Sequence, residues 1–403
     1  MPSSLTWLDH DSEARERSHR LLELFAESET RDELGIGSIR DAIADQLFPG
    51  TSVIQTRLRY MLLVPWLFIE MEERLEPAAK FSSVARRAEL DLGRSLAEAD
   101  EKGVFGRSAG DQLKRLPSSV YWAGLSSWGL RVFRGSQQEY FRQIDTIYAS
   151  RERRRRKDDG DWLDPARGMT WHPTLKVLKP EDFPDSVDLR MRPDESRFVR
   201  EQWKKQHPES LLSWLAFDGP SLVPESRADA PWLHPRVAEF PDAMRTLVTH
   251  GRHFSDLIAG AARLYNLHLS EIDGRSESME TYRRQLQEWG AGYPASGLAS
   301  WDLTAFWGRF VGQGQHSISL RTQRFVGEWL AIVREANGDV VDSARARALI
   351  VRREQEMKQG RSRFTNAAAR KQWSGASGLV PLTYRWGITS TFLDDLATGL
   401  ASR

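Results

Sequence analysis

The sequence contains no cysteine, and that one absence closes several routes. Disulfide bonds, thiolate nucleophiles and every cysteine-ligated zinc or iron–sulfur centre are excluded. Charge of one sign is lacking too. In 403 residues, 57 Lys and Arg stand against 56 Asp and Glu, a formal net charge of +1. The chain as a whole is no polycation, so a surface for nucleic acid would have to be a local patch. Long apolar runs are also missing. The longest, YMLLVPWLFI from Tyr60 to Ile69, falls short of the roughly 20 residues that span a bilayer. The opening MPSSLTWLDHD has neither the basic nor the apolar region of a secretion signal. No Gly-Lys-Ser/Thr phosphate loop occurs. These absences lead to the expectation of a cytoplasmic protein with no membrane partner and no cofactor.

What is present is helical patterning. Hydrophobic content of 40% and charged content of 28% are those of an ordinary globular chain with a sizeable core. Fifteen tryptophans supply core and interface anchors. SEARERSHRLLELFAESE reads as an amphipathic helix behind Ser12. Ile39, Ala42, Ile43 and Leu47 recur at helical spacing, with Ser38 as the expected cap and Asp41 three residues on. Pro49-Gly50 ends that helix. VIQTRLRYMLLVPWLFIEMEERL follows, apolar on most sides, and is expected to be a central helix kinked or divided at Pro65. Pro117 starts another helix, whose apolar face is Tyr121, Trp122, Leu125 and Trp128. The composition changes at Arg151, where RERRRRKDDGDWLDPARG turns basic, then acidic, then broken by proline and glycine. The expectation is a mostly α protein with two helical regions, 1–150 and 193–403, joined by an extended, charged, proline-rich connector over 151–192.

Several groups of residues have chemical spacing. Asp41 and Asp45 share one helix face, and Arg57 and Arg59 follow on the next element. The four read as a structural charge network across a helical hairpin, because an unpaired buried charge is expensive; paired carboxylates holding a metal, as in nucleases, are the alternative. His250, His253, Asp256 and His268 offer metal-ligating types, but Gly251 interrupts the pair and no glutamate stands in a general-base position. Gly35-Ile36-Gly37 opens a helix, where anions bind, without a third glycine or a preceding strand. His172 in HPTLK lacks the His-x-Lys spacing of phospholipase-D-type nucleases, and Glu356 in EMK has the Glu-x-Lys spacing but lies in a charged helical run. No catalytic residue and no metal ligand is assigned.

Binding surfaces are better represented. Arg151 to Lys157 holds six cations and one glutamate, with Arg154, Arg155 and Arg156 at its centre. GRSRFTNAAARKQWSGASGLVPLTYRW combines Arg361, Arg363, Arg370, Lys371 and Arg385 with Phe364, Trp373, Tyr384 and Trp386. Cations beside aromatics suit single-stranded nucleic acid or a protein groove; a core-packed YRW is the plainer reading.

Three stretches carry a resemblance: TRDELGIGSIRDAIADQLFPGTSVIQTRLRYMLLVPWL, GRSAGDQLKRLPSSVYWAGLSSWGLR, and the closing WSGASGLVPLTYRW with FLDDLATGL. Together they resemble a bacterial family known only as a domain of unknown function, of about this length. The resemblance brings no catalytic residues. It implies a neighbourhood of helicase and nuclease genes in defence islands, and so a part in anti-phage defence. The expectation is a non-enzymatic helical scaffold or adaptor that binds a helicase or nuclease of the same locus, with nucleic acid as a second partner class. The alternatives are a metal-dependent nuclease using Asp41/Asp45 or His250/His253/Asp256, and a DNA-binding regulator using the helices over Pro117–Arg131.

Overall fold

The architecture is that of a computed structural model, which describes residues 32–99, 101–107, 109–156, 168–222, 228–310 and 316–402. Among the described residues there are sixteen α-helices and no strand, with one isolated bridge joining Arg131 to Trp171. The mostly α expectation holds. The helix expected over residues 12–29 lies outside the described residues.

Helix α1 (Gly37–Leu47) buries Ile39, Ala42, Ile43 and Leu47, as their spacing predicts. Its cap is not Ser38. The Asp32 carboxylate accepts from the N–H of Ile36 at 2.8 Å and of Gly37 at 2.7 Å. It thereby satisfies orphan donors at the positive end of the helix. The anion position suggested by Gly35-Ile36-Gly37 is therefore filled by the chain's own aspartate.

Helix α2 (Tyr60–Glu73) starts later than its apolar run predicts. Residues 51–59 form turns instead, because the Tyr121 hydroxyl draws their backbone aside, accepting from the N–H of Thr56 at 2.9 Å and of Arg57 at 3.2 Å. Pro65 sits inside α2 without dividing it. Helices α3 (Ala78–Glu98), α4 (Pro117–Ser127) and α5 (Gln137–Arg156) surround α2. Their shared core is aromatic, with ring centroids of Phe81, Trp122, Tyr140 and Trp171 all 5.7–6.3 Å from Phe68. The expected connector is packed where it is described. It contains helix α6 (Pro173–Leu178), and Trp171, Leu175, Phe183, Leu189 and Met191 are buried. Trp66 Nε1 donates to the Leu175 carbonyl at 2.8 Å.

Helices α7 (Pro193–Gln206) and α8 (Leu211–Phe217) lead to α9 (Asp242–Asp273), a 32-residue helix buried along most of its length. Gly274, left-handed at φ 66°, reverses the chain into α10 (Ser276–Ala291). After α11 (Tyr293–Ser296) and α12 (Leu303–Gly308), α13 (Leu320–Glu335) and α14 (Ala344–Lys358) run antiparallel, joined by Arg345–Glu335 and Arg352–Glu328. Short α15 (Ala367–Lys371) precedes the last helix, α16 (Trp386–Ala401).

Contacts cross the compositional boundaries. Helix α16 lies along α7, and α1 packs on α9. Trp128 at the end of α4 meets Trp203 at 5.1 Å and Phe392 at 6.0 Å between ring centroids. The Arg57 guanidinium pairs with Asp395 at 2.7 Å, and Asp395 also accepts from the Leu58 N–H.

Candidate functional site

A cleft of about 630 Å³ opens where these crossings meet. Helix α1 supplies Asp45 and Gln46 to its wall, the first turns of α9 supply Met244 and Leu247, and the end of α12 supplies Arg309 and Phe310. Gln46 Nε2 donates to the Arg309 carbonyl at 3.1 Å and ties α1 to α12. Gly50 is left-handed at φ 78°, and a side chain there would collide with the Trp128 indole, so this turn of the rim admits only glycine without displacing the core.

Asp45 is the most engaged group in the wall. Arg385 Nη1 donates to its Oδ1 at 2.5 Å, and His316 Nε2 lies 2.8 Å from its Oδ2. An ionised carboxylate only accepts, so Nε2 carries the hydrogen and Nδ1 of a neutral His316 is left as an acceptor. Arg385 itself is half-buried, left-handed at φ 68°, and also donates to the Thr51 carbonyl at 2.8 Å. His207 also lines the cleft. Its Nε2 is 2.8 Å from the Ser127 carbonyl and 2.9 Å from the Ser127 hydroxyl. A carbonyl cannot donate, so Nε2 holds the proton and cannot take one from the hydroxyl. The pair caps the end of α4 and is no activated serine. Burial lowers the His207 pKa and keeps the ring neutral at pH 7.

Arg309 differs from its neighbours. It donates to the Ala243 carbonyl at 3.0 Å, and its buried Nε has no partner. Beyond it lies a second cavity of about 310 Å³, lined by His250 and His253. His250 Nδ1 accepts from Trp301 Nε1 at 2.9 Å. Burial lowers both histidines, His253 to about 4, and the nearby Arg309 charge lowers His250 further.

The four residues of the expected hairpin network do not pair with one another. Asp41 and Asp45 face Arg385, and Asp41 also pairs with its neighbour Arg40 at 3.1 Å. Arg57 takes Asp395 instead, and Arg59 takes Glu195 at 2.8 Å and Asp188 at 2.6 Å. The turns over 51–59 carry Arg57 and Arg59 away from α1, toward α16 and α7. The metal candidates separate as well. Asp256 faces Arg252 at 3.6 Å, and His268 packs against the Phe364 ring with centroids at 5.0 Å. Among the described residues no group of three His, Asp or Glu could hold a metal. His172 caps α6, and Glu356 is an exposed residue of α14 whose carboxylate lies 4.0 Å from Arg353.

Much of the basic and aromatic segment turns inward. Trp373 and Trp386 are buried, with Nε1 donating to Asn266 Oδ1 at 3.2 Å and to the Ala228 carbonyl at 2.5 Å respectively. Arg363 pairs with Glu33 at 2.5 Å, and Arg370 with Asp273 at 3.1 Å. Arg361 and Lys371 are exposed. The physical reason is indole burial: each ring gains more in the core than on a wet surface, and its neighbouring arginines are drawn to carboxylates of the same chain, buried Glu33 and exposed Asp273. Arg154, Arg155 and Arg156 end α5, and their side chains lie outside the described residues, as does 157–167.

Glu33, Glu72, Glu195, Asp395, Arg309 and His316 organise the interior or the cleft, yet no motif marks them. Asp395 has a faint signal, an acid on the apolar face that also carries Phe392, Leu396 and Gly399. The spacing Gly-x-Ser-x-Gly does occur, in GRSAG over 106–110, but it is followed by a 3₁₀ turn at Gly110–Gln112, has no strand before it, and its serine lies outside the described residues. It lacks the strand–turn–helix setting of a nucleophile elbow.

No curated protein and no solved structure matches the chain. The sequence model of DUF6361, a family of unknown function, matches residues 2–399.

Proposed function

This chain belongs to DUF6361, and we propose that it is a helical scaffold or adaptor of a bacterial anti-phage defence system, holding a helicase or nuclease of the same locus, with nucleic acid as a second partner class. The observation that carries the reading is an apolar pair at one end of α2. Leu75 is 64% exposed and Val177 is 82% exposed. Lys176 reaches Glu73 at 2.6 Å, and Lys179 reaches Glu70, so α6 is held beside the last turn of α2; Val177 lies on α6 and Leu75 just past the end of α2. Leu75 also has φ 55°. A branched side chain in left-handed backbone costs roughly 1–2 kcal/mol, and an exposed leucine recovers none of it by burial within the chain. The turn itself is held by the Glu76 N–H donating to the Met71 carbonyl at 3.0 Å, a helix-ending bond that sets Leu75 left-handed; a partner that covers Leu75 would bury the side chain that this turn leaves in solvent.

The chain's charge supports the same reading. Arg57–Asp395, Arg59–Glu195, Arg363–Glu33 and Arg385–Asp45 lock distant segments into one frame, which is what a docking platform needs. The experiment is a pull-down of tagged chain from its own locus, with and without nuclease treatment, alongside a Leu75→Asp/Val177→Asp variant. Aspartate tolerates left-handed backbone, so the variant is expected to fold. A helicase or nuclease recovered after nucleic acid is destroyed, and lost with the variant, supports the proposal. Chain recovered alone, with immunity intact when its gene is deleted, refutes it.

A further inference from the structure

The cleft beside Arg309 has no part in the docking edge, and its chemistry points to a ligand. It holds a guanidinium whose Nε is buried without a partner and which has no carboxylate among the described residues. His207 and His316 share the wall with it, while Met244, Leu247 and Phe310 supply apolar surface. The volume, about 630 Å³, is that of a small-molecule site. Two acids are present, and neither satisfies Arg309. Asp45 is committed to Arg385 and His316, and Glu209 is an exposed rim residue.

We propose that this cleft binds a phosphate monoester, with Arg309 and His316 on the phosphate and the apolar surface of Met244, Leu247 and Phe310 under its organic part. Arginine donates strongly to phosphate oxygens, and with the Nε of Arg309 buried it is the terminal nitrogens that would meet them. Phosphate suits His316 better than carboxylate or sulfate does. With Nε2 fixed on Asp45, Nδ1 accepts a hydrogen when the ring is neutral and donates one when it is protonated. A monoester has a second pKa near 6 and so offers both a P–OH and a P–O⁻ around neutral pH. His207, lowered by burial, also lines the cleft and is held by Ser127.

The test is binding to full-length protein by ³¹P NMR and calorimetry. The probes are inorganic phosphate, adenosine 5′-monophosphate, adenosine, and a short oligonucleotide with a 5′-phosphate or a 5′-hydroxyl. The variants are Arg309→Gln, Arg309→Lys, and Lys114→Gln as an exposed control. The expected result is that the monophosphate binds more tightly than inorganic phosphate and that adenosine does not bind. Arg309→Gln should weaken binding by about tenfold or more, with Arg309→Lys between it and wild type and Lys114→Gln unchanged. Preference for the 5′-phosphorylated oligonucleotide over its 5′-hydroxyl counterpart would keep the phosphate chemistry and assign the source to a nucleic-acid end. No binding to wild type, adenosine binding as well as its monophosphate, or equal weakening by Lys114→Gln overturns the proposal. Should Arg309→Gln fail to fold, the Arg309→Lys comparison and the wild-type probe series still decide it.

Discussion

Arg59 and Arg309 both sit against helical core, and their surroundings treat the guanidinium in opposite ways. Around Arg59 every direction is taken. Nε and Nη2 donate to the two Glu195 oxygens at 3.1 and 2.8 Å, and Nη1 donates to the side chain and carbonyl of Asp188 at 2.6 and 3.0 Å. The ring of Trp66 lies 5.8 Å below. Arg309 has one carbonyl, an unpartnered Nε and open cleft. A closed set of partners fixes geometry and leaves nothing for a ligand. An open one has little influence on the fold and keeps its hydrogen-bonding capacity available. The network on Glu72, which accepts from Tyr140, Arg151, Thr170 and Trp171, is closed in the same way as that of Arg59.

The largest effect is expected where the set is fully closed. Arg59→Ala leaves Glu195 buried without its counter-charge and should destabilise the fold by about 3–5 kcal/mol in denaturant unfolding. An Arg59→Met/Glu195→Leu double substitution should recover much of that loss; if it does not, the pair acts through something other than mutual charge compensation. Glu72→Gln comes next. One acceptor oxygen becomes an NH₂ that faces donors, for a loss of about 2–3 kcal/mol. Arg151 should lose its order in the same variant, readable as faster amide exchange at the end of α5.

A buried carboxyl with hydroxyl and amide partners but no ion pair falls between the extremes. Glu89 takes the N–H and the hydroxyl of Ser118, both at 2.7 Å. Burial pushes its pKa from 4.5 up to about 7, against the downward pull of those two bonds. The folded chain therefore holds this proton more tightly than the unfolded chain does. The stability contribution is fully present below pH 4.5 and is lost as pH rises through about 7. The loss is on the order of 3–4 kcal/mol. Thermal unfolding from pH 4.5 to 8 should show this decline in wild type and a flatter profile in Glu89→Gln; parallel profiles would remove Glu89 as the cause.

The helical frame was legible in the sequence because periodicity is local. Ile39, Ala42, Ile43 and Leu47, and the face of Tyr121, Trp122, Leu125 and Trp128, are buried as their spacing predicts. Pairing was not legible, because it is set by tertiary approach. Asp45 meets Arg385 across 340 positions and His316 across 271, and nothing near Asp45 announces either. Local charge proximity suggested Arg57 as the partner of Asp41 and Asp45, but the turns held by Tyr121 sent it to Asp395. The composition of the basic and aromatic segment suits a surface, but composition cannot distinguish a tryptophan that anchors a partner from one that anchors its own core, as Trp373 and Trp386 do. Arg309 was invisible for the complementary reason: its property is a missing partner, which no motif encodes.

The smallest effect on stability is expected at Arg309, and its value lies in a second readout. Arg309→Gln removes one hydrogen bond to a carbonyl and should cost no more than about 1 kcal/mol. It also removes a cation near His250, whose pKa is lowered by burial first and by Arg309 second. Substitution should therefore raise the His250 pKa without returning it to 6.5, because burial remains. Histidine titration by ¹H–¹⁵N NMR in wild type and variant measures this directly. An unchanged His250 pKa would mean that the Arg309 charge is already compensated by solvent or a bound anion. Where the two values differ, inorganic phosphate added to wild type should move the His250 titration upward toward its value in the variant, because an anion on Arg309 offsets its charge; a titration that stays put means that phosphate does not reach Arg309.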